Sequence, residues 1–367
     1  MAGTGFLDGF KEKAGNFEPP ARGEAPKPEK APAPQKQQVA PAAVGTAPAE
    51  PTTSPNMLSK ANPAIAQMIN TARAQASMQI DTFVMCGIAG HPKTGKTGMV
   101  LDSLTPEEIE AGAEIWLIDF DLGGETTKAA HHKDKASNIV VLNPWVFNYG
   151  SSRVPYDFPG TFQQTIDILK AAQAQMEMQN EFYMHNGHYP KPYLKTVIFD
   201  GADHWLHITE TCMKVDDLEL GVDGIAVAGK KATTQIGRFN WNIRATRYQT
   251  AMVALRELCR GGVHCYVITH MKPAYDSSGN ELVGQDSAKW LRDTEGHLQQ
   301  VVYTEIEEER DENGELTGTV RAFARVVANR TSLNAGGRVL LYERNKDGGE
   351  WFGWPGLKTG DFDIGED

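Results

Sequence analysis

The chain has 367 residues, with 36 Lys and Arg against 47 Asp and Glu, so its formal net charge is −11. Hydrophobic residues make up 40% of it, which excludes fibrous, collagen-like and wholly disordered proteins. Neither an apolar run of membrane-spanning length nor a secretory leader is visible, and the four cysteines are scattered, so we expect a cytoplasmic protein. The acidic balance argues against a protein that coats duplex DNA, but it allows a local basic strip.

The first 56 residues predict a disordered arm. Eleven of the 20 prolines fall within residues 1–63, among Ala, Gln, Lys and Glu. Such a segment has too little apolar surface to offset the entropy lost on ordering. Residues 57–80 then place apolar side chains at three- and four-residue spacing, which predicts an amphipathic helix. The arm is either a solvated segment or a docking peptide for a partner protein or neighbouring subunit.

Residues 81–345 alternate apolar runs with helical stretches. The predicted strands are 82–89, 114–120, 139–142, 194–200 and 263–269. Helices are predicted at 162–181 and at 242–260, and the second ends at a Gly-Gly pair. This alternation predicts an α/β fold with a mostly parallel central sheet flanked by helices. We expect one large domain with an insertion at about 143–193.

The pattern changes to β-hairpins after residue 300. Apolar runs at 301–309 and 317–327 flank a turn that contains Asn-Gly, a strong hairpin signal, and 339–343 is predicted as the last strand. Residues 346–367 contain two Lys and six acidic residues, together with several aromatic residues. They predict an acidic flexible tail, which could instead dock on a basic groove of a partner protein.

The strongest chemical signal is the segment GHPKTGKT, which fits the phosphate-loop pattern G-x-x-x-x-G-K-[ST]. It directly follows an apolar strand and precedes a helix. The glycines let successive backbone N–H groups point at phosphates, Lys96 brings a positive charge to them, and the Thr97 hydroxyl reaches Mg²⁺. The sequence therefore predicts a site for ATP and Mg²⁺, formed by Gly90, His91, Pro92, Lys93, Thr94, Gly95, Lys96 and Thr97.

Polar residues follow three other predicted strands, at the edge of the sheet where ligands of α/β proteins bind. Asp200 ends an apolar strand and is predicted to hold Mg²⁺ through water, together with Thr97. Asp121 ends another and is the candidate for orienting an attacking water, with Glu125 as reserve. His270 ends a third and is predicted to hydrogen-bond the γ-phosphate.

In their order these elements resemble the RecA/RadA-like ATPases, in particular the compact RecA-like nucleotide-binding proteins of bacteriophages. The resemblance covers roughly residues 80–345 and rests on the loop, then LIDFD, VIFDGAD, a long helix after RFNW, and VITH. It implies a RecA-like ATPase core, a homo-oligomer and action on single-stranded DNA in recombination, repair or replication, in a bacterial host cytoplasm if phage-encoded. VVANR resembles the family's late strand, which would offer Arg330 to a neighbouring subunit's γ-phosphate. Asp121 stands where the family usually has Glu.

Residues 224–256 contain six basic residues and no acidic residue, interleaved with aromatic side chains. Charge for phosphates and rings for bases are what single-stranded nucleic acid requires. The candidate contacts are Lys230, Lys231, Arg238, Trp241, Arg244 and Arg247. A solvated helix face whose aromatic residues pack on the core explains the same pattern.

Other functions stay open at this point. A nucleotide-gated oligomeric assembly or scaffold ATPase that does not bind DNA would fit the long arm and the acidic tail. A small-molecule kinase is a weaker alternative, because no compact Arg-rich lid follows the core. A helicase motor would share the same core.

Overall fold

Ten strands among the described residues join one mixed sheet. The computed structural model describes residues 83–150, 155–218, 240–276, 280–329 and 337–354. All of these belong to one unit that spans 73–367. The predicted arm and the predicted helix at 57–80 lie outside the described residues.

The strands are β1 Met85–Gly90, β2 Ala113–Asp119, β3 Ile139–Leu142, β4 Tyr193–Asp200, β5 His264–Tyr275, β6 Glu281–Ala288, β7 Gln300–Arg310, β8 Leu316–Asn329, β9 Arg338–Asn345 and β10 Gly348–Trp351. Their order in the sheet is β10-β9-β8-β7-β1-β5-β4-β2-β3, and β6 pairs with β5. The neighbours from β3 to β7 run parallel, and β7 to β10 are antiparallel. The predicted α/β class, with a parallel sheet followed by hairpins, is confirmed.

The helices are α1 Lys96–Leu101, α2 Pro106–Ala111, α3 Gly124–His131, α4 Phe158–Asn186, α5 Ala202–Cys212 and α6 Asn240–Arg260. Shorter 3₁₀ turns span Lys133–Asn138 and Arg292–Gly296, and a π turn spans Met213–Asp217. Among the described residues, none of the helices combines the length and apolar character needed to cross a membrane.

Apolar side chains cover both faces of the sheet. One cluster joins β1, β4 and β5 to α4, α5 and α6, with Leu169, Trp205 and Tyr248 buried in it. The other packs α1 on the opposite face, through Met99 and Leu101. All six residues of β1 are buried, as expected of a parallel strand with helices on both sides. The segment that fits the phosphate-loop pattern therefore follows a strand that is packed on both faces.

The chain beyond residue 346 differs from the predicted flexible tail. After β9, the Asn345 side chain accepts hydrogen bonds from the backbone of Asp347 and Gly348, at 2.9 and 3.1 Å, and this turn starts β10. Trp354 is 4% exposed. The strand predicted at 339–343 is confirmed by β9, but β10 follows it, so it is not the last strand and the tail does not begin at 346. Packing of the aromatic residues outweighs the acidic composition there. Residues 355–367 lie outside the described part.

Candidate functional site

The segment from Gly90 to Thr97 links the end of β1 to α1 at the carboxyl edge of the sheet. Gly95 has a φ of 82°, a left-handed conformation that glycine adopts without strain. A Cβ atom at Gly90 would overlap the Thr304 hydroxyl of β7. That hydroxyl lies 2.5 Å from Thr94 Oγ1, so β7 anchors the loop.

Lys96 is held inside this loop. Its Nζ donates to the carbonyl oxygens of Gly90, at 3.0 Å, and of His91, at 2.7 Å. Burial lowers the pKa of Lys96, and the charges of Asp200, Asp121 and Asp203 oppose that shift. An ammonium group has three donors, so the two carbonyl contacts leave one N–H for an anion in the loop.

Asp200, at the end of β4, faces the first turn of α1. Its Oδ2 accepts a hydrogen bond from Thr97 Oγ1 at 2.6 Å, while its buried Oδ1 has no hydrogen-bond partner among the described residues. Burial raises the pKa of Asp200 to about 7, the charge of Asp121 adds to the shift, and the Thr97 hydrogen bond opposes it. A buried carboxylate oxygen without a partner is costly, and a bound cation would relieve that cost.

Thr97 and Asp200 fit Mg²⁺ that is shared with a phosphate ligand. The described residues contain no cluster of three or more His, Cys, Asp or Glu side chains that could hold a metal by themselves. Mg²⁺ commonly takes only one or two protein ligands and completes its shell with phosphate oxygens and water. The predicted pair therefore has the composition that such a site requires.

Three acidic residues near the end of β2 have different surroundings, and two of them, Asp121 and Glu125, were predicted as site residues. Asp119 is buried, and its Oδ2 accepts a hydrogen bond from the Gly124 backbone at 2.7 Å, so it stabilises the turn into α3. Asp121 lines a cavity together with the loop. Glu125 instead pairs with Lys128 at 3.1 Å and is not among the described residues that line this cavity.

Two imidazoles approach the Asp121 carboxylate. His204 Nε2 lies 2.8 Å from Oδ1, and His270 Nε2 lies 3.6 Å from Oδ2. His270 Nδ1 in turn lies 3.2 Å from Asp203 Oδ2. Burial opposes ionisation of Asp203, but the hydrogen bond and charge of His270 outweigh it, and the pKa of Asp203 is lowered to about 2.

Sequence reasoning missed Asp203 and His204. Both lie in the first turn of α5, directly after the strand that ends at Asp200. The sequence DGADHW could have indicated them, because Asp203 and His204 follow directly after a strand that ends at Asp200. A helix that starts at this edge of the sheet presents its first turn toward the ends of the other strands. His270, which the sequence did predict, lies between the two acidic groups.

The cavity has a volume of about 960 Å³, at the upper end of the range for small-molecule sites. Its walls are the phosphate-loop segment, Thr127 and His131 of α3, and the β9–β10 hairpin. The Tyr342 hydroxyl donates to the Lys93 carbonyl at 2.9 Å, which joins the hairpin to the loop. Trp351 Nε1 donates to Asp102 Oδ2 at 2.7 Å, and the His131 ring stacks on Trp351 at 5.4 Å. Sequence reasoning missed this aromatic wall because it assigned Trp351 to the tail.

Two of the predicted contacts in residues 224–256, Arg244 and Arg247, form ion pairs within the molecule. Arg247 pairs with Asp216, at 3.0 Å, and with Asp217, at 2.9 Å. Arg244 pairs with Glu210 at 3.2 Å, and its guanidinium lies 4.5 Å from the Trp241 ring centroid. The other predicted nucleic-acid contacts, Lys230, Lys231 and Arg238, lie outside the described residues. So does Arg330, which was predicted to reach the γ-phosphate of a neighbouring subunit.

No family model matches the chain, and no curated protein gives a significant match.

Proposed function

We propose that this protein binds ATP with Mg²⁺ and hydrolyses it, as a RecA-like ATPase. The main support is the pairing of Thr97 with Asp200 beside Lys96, since the second Asp200 oxygen is buried and has no hydrogen-bond partner within the described part of the chain. A cation and a phosphate chain would satisfy these groups together. The cavity adjoining them is large enough for a nucleotide.

Lys96 would bind the terminal phosphates. Two of its three N–H donors contact loop carbonyls, so the third is available to a phosphate oxygen. The loop backbone would supply further N–H donors. Thr97 and Asp200 would hold Mg²⁺, which would supply positive charge beside the phosphates as negative charge develops on them.

Asp121 would orient the attacking water. Its carboxylate lines the cavity and its side chain is 29% exposed, so it is available to a water beside the terminal phosphate. His270 lines the same cavity and would hydrogen-bond the γ-phosphate. Asp121 follows the end of β2, whereas β5 continues past His270, which was predicted to end its strand. His270 pairs with Gly90 at the start of the loop, so both groups lie near the loop, as in-line attack requires.

The nucleoside end of ATP would lie along the β9–β10 hairpin. With the phosphates at the loop, the rest of the cavity is bounded by this hairpin and α3. Tyr342 and Trp351 supply aromatic surface there, and the two rings lie 6.1 Å apart at an angle of 19°. Such a surface suits a planar base.

Action on single-stranded DNA as a homo-oligomer, with Arg330 completing a neighbour's site, belongs to the same proposal. It draws on the basic strip at 224–256. The alternative is a nucleotide-gated assembly ATPase that does not bind DNA. One observation favours this alternative, because Arg244 and Arg247 are already paired with acidic groups of the same chain.

The test is steady-state ATP hydrolysis by the wild type and by Lys96→Ala, with and without single-stranded DNA. We expect Lys96→Ala to lower kcat at least about a hundredfold, because it removes the charge that stabilises the γ-phosphate in the transition state. Lys170→Ala, which removes an exposed lysine of α4, is the matched control. Equal rates in the wild type and Lys96→Ala would refute the proposal. Stimulation by DNA would support the RecA-like function, and indifference to DNA would support the assembly ATPase.

A further inference from the structure

Asp121 has a histidine on each carboxylate oxygen, but the two histidines differ. His270 lines the cavity, whereas His204 is not among the described residues that line it. His204 nevertheless makes the shorter contact, at 2.8 Å against 3.6 Å for His270. A ligand in the cavity would therefore meet His270 directly and His204 only through Asp121.

The His204 ring is fixed from two sides. Trp145 packs edge-on against it, with ring centroids 6.0 Å apart. On another side, a Cβ atom at Gly201 would lie 3.2 Å from His204 Cδ2, so little room remains there. Trp145 Nε1 also donates to the carbonyl of Phe120 at 2.8 Å. The same indole thus holds both His204 and the backbone next to Asp121.

The electrostatic surroundings favour a protonated donor at His204. Its hydrogen bond with Asp121 raises the pKa of His204, burial works against this, and the negative charge of Asp203 adds to the shift. Lys289, which directly follows β6, is paired with Asp203 at 3.3 Å, and this pairing limits the negative charge around the two histidines. A charge-assisted hydrogen bond is shorter and more directional than a neutral one.

We infer that His204 is a positioning residue for ATP hydrolysis, which fixes the Asp121 carboxylate so that its other oxygen faces the attacking water. This inference rests on the proposed function. An aspartate side chain is shorter than a glutamate and turns freely at its carboxylate when it lies in a loop. His204 removes that freedom by occupying Oδ1, which leaves Oδ2 toward the cavity and His270.

The test compares His204→Ala with His204→Gln, whose amide can replace the Nε2 donor. His207→Ala is the matched control, since His207 lies one turn along α5 and its ring packs on Phe158 instead. For His204→Ala we expect kcat to fall about a hundredfold, because a misplaced catalytic group costs about that much. The KM for ATP should stay within about twofold, since the phosphate contacts are untouched. His204→Gln should recover most of the lost rate.

A double-mutant cycle separates positioning from a general structural effect. In an Asp121→Ala background, His204→Ala should cause no further loss of kcat, because the residue that it positions is gone. The inference is overturned if His204→Ala is as active as His207→Ala, or if it costs the same factor with and without Asp121. A wild type that hydrolyses no ATP would remove the proposed function and this inference with it, whereas an active His204→Ala would remove the inference alone.

Discussion

Asp200 is proposed to hold Mg²⁺, and its buried carboxylate also lowers the stability of the folded protein when it is ionised. It is 2% exposed, one of its oxygens has no partner among the described residues, and burial raises its pKa to about 7. An acid whose pKa is higher in the folded state holds its proton more tightly there. The ionised carboxylate therefore destabilises the folded protein above about pH 7, and this cost disappears as the pH falls toward 4.

Asp200→Asn should accordingly stabilise the protein in the absence of nucleotide and Mg²⁺. We expect its thermal midpoint to exceed that of the wild type by about 3 °C or more at pH 8, and the difference to shrink at pH 5. Mg²⁺-dependent binding of ATP should be lost in the same variant. Thermal unfolding at both pH values measures this, with Asp167→Asn on the exposed face of α4 as control. A difference that is the same at pH 5 and pH 8 would show that ionisation of Asp200 is not the cause.

The sequence predicted some of these residues better than others. Lys96, Thr97 and Asp200 could be named because a loop motif and a strand end each have a fixed place in an α/β sheet. The orientation of His204 could not, since it depends on Gly201, whose φ of 118° redirects the chain between β4 and α5. A turn of that kind leaves no periodic pattern in the sequence.

Among the elements, the β9–β10 hairpin departs most from the prediction, since β10 lies in a segment that was predicted to be a flexible tail. Trp351 packs over α1, where a Cβ atom at Gly98 would lie 2.7 Å from its ring. Its indole N–H is bonded to Asp102, which also pairs with Lys135 at 2.7 Å. These contacts join segments far apart in the chain, so local composition indicated a tail and tertiary packing decided otherwise.

Trp351→Leu tests the role of this hairpin in binding the base. We expect the Kd for ATP to rise about tenfold, because base–aromatic stacking contributes on the order of 1–3 kcal/mol. The Kd for inorganic tripolyphosphate, which has no base, should stay unchanged. Phe352→Leu is the matched control, since Phe352 is the neighbouring residue and is exposed.

Competition titrations with ATP and with tripolyphosphate give the two Kd values for each variant. An equal weakening for ATP and tripolyphosphate would mean that Trp351 supports the loop and does not contact the base.

For the whole molecule, the order of the strands brings the candidate groups together. The strands β1, β2 and β4 end at one edge, and β5 crosses this edge at His270, the partner of Gly90. Asp121, Asp200, His270 and the loop therefore meet there. The alternation of strands and helices predicted a common edge, but it did not predict which strands are neighbours. The insertion of β5 between β1 and β4 is what places His270 between the loop and Asp200.

The charge of a segment in the sequence can differ from the charge around it in the folded molecule. Residues 224–256 contain no acidic residue, yet Arg244 and Arg247 find acidic partners in Glu210, Asp216 and Asp217. These partners precede the window and reach it through the packing of α5 and the π turn against α6. The fold therefore neutralises part of a strip that the sequence presents as positive.

The cavity beside Lys96 is proposed to bind a nucleoside triphosphate. Isothermal titration of the wild type and of Lys96→Ala with ATP and Mg²⁺ tests this binding, because it does not require turnover. We predict saturable binding at one site per chain in the wild type and at least about a tenfold weaker Kd in Lys96→Ala. Absence of binding in the wild type, or equal affinity in both proteins, would show that the cavity beside Lys96 is not a nucleoside triphosphate site.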